Sequence, residues 1–208
     1  SDNVRHIPML LWNGGVDGLV PVLGPVNYSH ELKRQGYRHQ LDVFPAATHL
    51  SLGIRDDWGR APEFLGRGEV KRDPTRVTYR RDPEFDEPAL GLAHDKAYWV
   101  SDITVRDDSE GGLVDAHSLA EGYDKAVSES FHETGNNPQR RLTKGTKWVD
   151  FEHVHDAANE LHVKLENVDG VTLWLEEAGL EVDEDLTLIV RSDGLATLTL
   201  AGPFGRET

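Results

Sequence analysis

Cysteine is absent from the 208 residues. Disulfides, thiolate zinc sites and a cysteine nucleophile are excluded with it. Cations are scarce beside anions, 22 Lys and Arg against 37 Asp and Glu, for a formal net charge of −15. Phosphate backbones are held by clustered Lys and Arg, so this balance argues against a nucleic-acid binder. No apolar run approaches the roughly 18 residues a membrane-spanning helix needs. With 38% hydrophobic and 28% charged residues, the composition is that of a soluble globular protein large enough for a substantial core. The acidic stretches Asp82 to Glu87 and Glu181 to Asp185 read as solvated turns and faces. No signal-peptide pattern is read at the start, where the chain enters an apolar strand almost at once after Ser1; a targeting signal on a removed N-terminus would have gone with it.

What is present is organised around Ile7 to Ser51. Ile7 to Trp12 is apolar except for Pro8, which suits the start of a strand better than its middle. A strand apolar on both faces belongs to a parallel sheet covered by helices, so it requires neighbours. Asn13, Gly14 and Gly15 break it with residues that tolerate left-handed backbone angles, and Asp17 follows in the loop. Gly24 and Pro25 open a helix that Val26 to Gln35 continue and Gly36 caps. Gln40 to Phe44 is a second strand, stopped by Pro45, and His49 lies in the loop beyond it.

Strand, acidic loop, helix, strand and histidine loop together form the closing unit of an α/β-hydrolase sheet, in which the triad runs Ser, then Asp or Glu, then His. Asp17 and His49 are 32 positions apart, enough for one helix and one strand to return to the same sheet edge. Asp17 would bond one ring nitrogen, and the other would take the serine proton. Asp17 as a mere turn or helix cap is the plainer alternative. No Gly-x-Ser-x-Gly occurs anywhere in the chain. Ser51 shares the histidine's loop and lacks a nucleophile elbow, so it does not replace the missing serine.

The pattern Pro8 to Pro21 with Asn13-Gly14-Gly15-x-Asp17-x-x-Val20-Pro21, then Leu32, Gly36-Tyr37, Phe44-Pro45 and His49, resembles the C-terminal end of the prolyl-oligopeptidase-like α/β-hydrolases. The resemblance spans roughly the first 60 residues. It implies that Asp17 and His49 are the acidic and basic triad members of a serine peptidase or esterase. It also implies a secreted or extracellular location, with a cytoplasmic one as the alternative. The serine, the oxyanion hole and the first strands of the sheet would belong to an N-terminal half, which could be a separate chain, that acts on a small ester or peptide substrate. No cofactor is expected, and this chain alone should be inactive.

Asp56 to Arg67 finishes this part with a short helix whose Trp58, Phe64 and Leu65 pack on the sheet. The expected organisation is α/β plus all-β: residues 1–66 as the hydrolase segment, 67–75 as a linker, and 76–208 as a jelly-roll-like β-sandwich. Strand-like runs recur at Arg76 to Arg80, Ala97 to Val105, Leu113 to Leu119, Thr146 to Val154, Glu160 to Val168, Val171 to Leu175, Leu186 to Val190 and Ala196 to Ala201. Leu161, Val163 and Leu165 should face a core, with His162, Lys164 and Glu166 outward. Asn167 to Gly170 and Ser192 to Gly194 are the clearest turns. The tail from Asn159 to Leu200 is also similar to C-terminal β domains of some secreted bacterial hydrolases.

Two further chemistries are open. His153, His155 and Asp156 could supply metal ligands from a strand end, or be an exposed polar terminus; a calcium site among the Asp-rich turns has no EF-hand loop behind it. Trp99, Trp148 and Trp174 could form a sugar-binding platform if they share an exposed face, or be core residues. The platform would make the chain a non-catalytic binding module for carbohydrate, a surface or its own catalytic half.

Overall fold

A computed structural model describes residues 2–54, 60–66, 68, 71–135, 142–202 and 205–207, with backbone alone at 52–54 and 205–207. The fold is mostly β, in three mixed four-stranded sheets. In chain order the first elements are β1 (Met9–Gly14), α1 (Leu23–Gln35), β2 (His39–Phe44), α2 (His49–Ile54), α3 (Arg60–Leu65), β3 (Arg76–Arg81), β4 (Val100–Val105) and β5 (Gly112–Ser118). They are followed by β6 (Tyr123–Thr134), β7 (Leu142–His155), β8 (Glu160–Glu166), β9 (Val168–Trp174), β10 (Thr187–Ser192), β11 (Thr197–Gly202) and β12 (Gly205–Glu207). They fall into two compact units, Asn3–Val70 with Asp124–Glu152, and Lys71–Tyr123 with His153–Thr208.

In the first unit β1 and β2 run parallel, paired from Met9 with His39 to Gly14 with Phe44. A parallel pair needs a crossover, which α1 supplies. The helix stops at Gly36, whose φ of 70° few other residues would adopt. Its N–H donates to Lys33 O and that of Tyr37 to Leu32 O, a Schellman closure. Leu32, Phe44 and Ala47 are fully buried, as is His39, which is held between Ser29 Oγ and Tyr37 O at 3.0 Å each. Burial of its ring lowers the His39 pKa.

The sheet continues past β2 with β7, antiparallel from Gln40 with Lys147 to Val43 with Lys144, and then β6, in the order β1-β2-β7-β6. Residues 124–152 therefore cluster with the N-terminal segment, whereas the sequence pattern runs them into a single stretch from 76 to 208. β6 escapes sequence reading because Tyr-Asp-Lys-Ala-Val-Ser-Glu-Ser buries only Ala126 and Ser128, so apolar alternation is weak. Asp42, fully buried on β2, accepts hydrogen bonds from Trp12 Nε1 (3.0 Å), Gln40 Nε2 (2.9 Å) and Arg60 Nε (2.7 Å). Arg60 also donates to Glu133 at 2.7 Å, so one guanidinium ties α3 to two strands. Phe64 packs edge-on to Trp148, with centroids 5.2 Å apart, as α3 was expected to do. Leu65 is exposed instead, because only one face of this six-residue helix meets the sheet; Trp58 lies outside the described residues.

The second unit holds two sheets, β10-β8-β5-β3 and β12-β11-β9-β4. Val77, Val114, Ala116, Leu161, Val163 and Leu165 from the first meet Val100, Ile103, Val168, Val171 and Leu173 from the second in one core cluster. The expected alternation holds on β8, with Leu161, Val163 and Leu165 buried and His162, Lys164 and Glu166 on the other side. Each such side chain contributes about 2 kcal/mol of transfer free energy. Asn167 is not the start of a turn reaching Gly170; Asp169 and Gly170 already lie in β9. With φ 53°, Asn167 is a one-residue corner between the sheets. Its amide Nδ2 donates to Asp107 O and Glu110 O, and its N–H donates to the Asp193 carboxylate. In the acidic stretch from Asp82 to Glu87, Glu84 and Glu87 are exposed as expected, but Asp86 is less solvated. Arg81 grips Asp86 at 2.6 and 3.1 Å and, with the His94 amide, holds its carboxyl down at about 2.

Candidate active site

The two loops beyond β1 and β2 are laced together before any side chain is considered. Gly15 N–H donates to Phe44 O at 2.9 Å and Val16 N–H to Ala47 O at 3.2 Å. Gly14 and Gly15 are there for this approach rather than for left-handed angles, since neither has a positive φ. A Cβ on Gly14 would lie 2.2 Å from Ala47 O. Asn13, buried at the strand's end, donates through Nδ2 to Val20 O at 3.2 Å and so braces the aspartate loop.

Asp17 is held at both oxygens. Oδ1 accepts from the Leu19 and Val20 amides, each at 2.9 Å, and Oδ2 faces His49 Nδ1 at 2.9 Å. A carboxylate with this many donors only accepts, so Nδ1 carries the proton. The Val20 amide contributes most to lowering the Asp17 pKa; burial opposes it, and the hydrogen bond from His49 adds to it. The carboxylate is 5% exposed and the imidazole 46%, so the pair has a covered acid and an open base. The turn-forming alternative for Asp17 is therefore half right: the carboxylate shapes its loop with one oxygen and orients the histidine with the other.

His49 opens α2 rather than sitting in a loop. Thr48 N–H donates to Ser51 Oγ at 2.9 Å, and the two hydroxyls are 2.9 Å apart. This is a capping arrangement. Ser51 is thereby committed to the helix start and is no nucleophile for His49. Val16, Leu19, Val20, Leu23 and Leu50, on the segments that carry the dyad, are all exposed.

The other candidates do not converge. His153 Nε2 pairs with Asp156 at 3.1 Å on the surface, while His155 lies against His117, with centroids 6.2 Å apart. Among the described residues no group of three or more His, Asp or Glu is arranged around a cation. Trp99 and Trp148 are buried in different units, and Trp174 donates to Ser101 Oγ at 2.9 Å. They make no exposed aromatic row, which weakens the sugar-platform reading. Sequence reasoning missed the bracing by Asn13 and the Thr48–Ser51 cap; the Thr-x-x-Ser spacing before a helix was the available signal. Comparison of the chain with models of known families, with curated proteins and with solved structures finds no match in any of the three.

Proposed function

We propose that this chain is the C-terminal part of a serine hydrolase of the prolyl-oligopeptidase-like α/β type. Asp17 and His49 are its acidic and basic triad members, and the serine and oxyanion hole are supplied from outside these residues. The two-sheet unit is then an appended β-sandwich. The carrying observation is the Nδ1–Oδ2 contact of 2.9 Å between segments that are themselves backbone-bonded. Two features of β1 support the reading. It ends the sheet order with one side unpaired in the described residues, and its apolar run stays only half buried. The exposed apolar rim around the dyad is a surface that a catalytic half would cover.

Asp17 fixes the tautomer and leaves Nε2 to accept the Oγ proton as serine attacks the ester or amide carbonyl. The imidazolium that forms is stabilised by Asp17, which stays ionised because the Val20 and Leu19 amides favour its charge. His49 then returns the proton to the leaving alcohol or amine, and a water repeats the cycle on the acyl-enzyme. A secreted location goes with this reading.

Mass measurement of the assembled protein identifies the serine-bearing polypeptide, and a fluorophosphonate labels it. His49→Ala should then lower hydrolysis of a p-nitrophenyl ester or an aminoacyl p-nitroanilide by about 10^4 or more. Undiminished turnover in that variant, or fluorophosphonate labelling of this chain itself, overturns the proposal.

A further inference from the structure

The outer face of the β3-β5-β8-β10 sheet carries two aligned rows of side chains. Register places Arg76, His117, His162 and Ile189 in one row and Thr78, Asp115, Lys164 and Arg191 in the next. Alternate positions of a strand share a face, so eight residues far apart in sequence meet here. Between them lies a groove of about 320 Å³, lined by Arg76, Asp115, His117, His162, Lys164 and Arg191 together with Ile189. Within a chain of charge −15, three of its lining residues are permanent cations and one is an anion.

The anion is already spoken for. Asp115 takes a bidentate contact from Arg76 at 2.8 and 2.6 Å and a hydrogen bond from Thr78 Oγ1 at 2.8 Å. This fixes the Arg76 fork against the sheet instead of leaving it to wander in solvent. Lys164 reaches Glu166 at 2.6 Å from an exposed position. The Arg191 side chain has no hydrogen bond or ion pair among the described residues. Tyr123 packs edge-on against His117 with ring centroids 4.5 Å apart. His117 is 8% exposed, and its Nε2 has no hydrogen-bond partner. A buried, unpartnered polar atom costs free energy unless something completes it.

We infer that this groove is a binding site for a small ligand of monosaccharide size bearing an anionic group, a carboxylate or a phosphate, which Arg191 and Lys164 receive opposite the braced Arg76. The cavity volume is at the lower end of small-molecule sites, which sets the ligand size. Two guanidiniums and an ammonium around one pocket are the donor set for bidentate recognition of such oxyanions. The inference does not depend on the hydrolase reading, because every residue in it belongs to the second unit.

The His117 ring is the reporter. Burial, followed by the Arg76 charge, holds its pKa down at about 4, with Asp115 opposing and His162 and His155 adding. An anion bound beside Arg76 favours the protonated ring and raises that midpoint. Glucuronate, inorganic phosphate and uncharged glucose are each titrated into the intact chain while the His117 and His162 ring resonances are followed. Saturable shifts with glucuronate or with phosphate, accompanied by a rise in the His117 midpoint, are expected; whichever anion binds more tightly identifies the source of the charge. Arg191→Ala, on an exposed strand position, should weaken binding about tenfold. Glucose binding as tightly as glucuronate, absence of saturable shifts with both anions, or unchanged affinity in Arg191→Ala would overturn the inference.

Discussion

Two strands with apolar residues to bury have opposite fates. Met9 to Trp12 on β1 is a continuous apolar run, yet all four residues remain only partly buried. Leu161, Val163 and Leu165 on β8 alternate with polar residues and are 0 to 2% exposed. Strand β8 lies between β10 and β5 with a second sheet against its apolar side, whereas β1 is paired, among the described residues, with β2 alone. Hydrophobicity decides which residues want cover, and the number of neighbours decides which of them get it.

The comparison is tested most severely by truncating each strand. Leu165→Ala should destabilise the second unit by about 3 kcal/mol, while Leu11→Ala should cost the first unit about 1 kcal/mol. Native-state hydrogen exchange resolves the two units, and equal losses would remove the distinction. Next in size is Gly14→Ala, whose Cβ must displace the Ala47 carbonyl. We expect a loss of about 2 kcal/mol in the first unit. The downfield Nδ1 proton of His49 should disappear with it, and its persistence would mean that the two loops can part without losing the dyad.

Acid should weaken both units, because each buries one histidine. His39 in the first and His117 in the second have folded pKa values below their ordinary 6.5, His117 at about 4. The unfolded chain therefore binds the extra proton first. The stabilisation is complete above about pH 6.5 and is lost as pH falls through the folded values, toward about 4 for His117. For His117 the loss is about 2 kcal/mol after allowance for solvent screening. Urea midpoints at pH 7 and 4.5 measure it, and His117→Gln should abolish the drop in the second unit only. Below this window the lowered carboxyls take over: Asp17 in the first unit, and Asp86 and Asp193 in the second, lose their stabilising contacts as they protonate. The smallest expected effect is Asp17→Asn, below about 1 kcal/mol on stability. It should nonetheless change the His49 Nδ1 proton shift, and an unchanged shift would dismiss the contact as incidental.

Local signals carried much of this protein. Apolar runs, the Gly36 stop and the alternation on β8 were legible because each is written within a few residues. So was the pairing of Asp17 with His49, since a strand, a helix and a strand of ordinary length must bring the ends of β1 and β2 to one sheet edge. Tertiary structure alone decided the rest. Strand β6 is too polar to announce itself, and it forms because β7 offers a partner beside β2. The single-residue corner at Asn167 depends on Asp193, 26 positions away, accepting its N–H. Arg76, His117, His162 and Arg191 share a groove only through the register of four strands. Pairing across a sheet is set by which backbones meet and in what alignment, and chain order specifies neither until the strands have found one another.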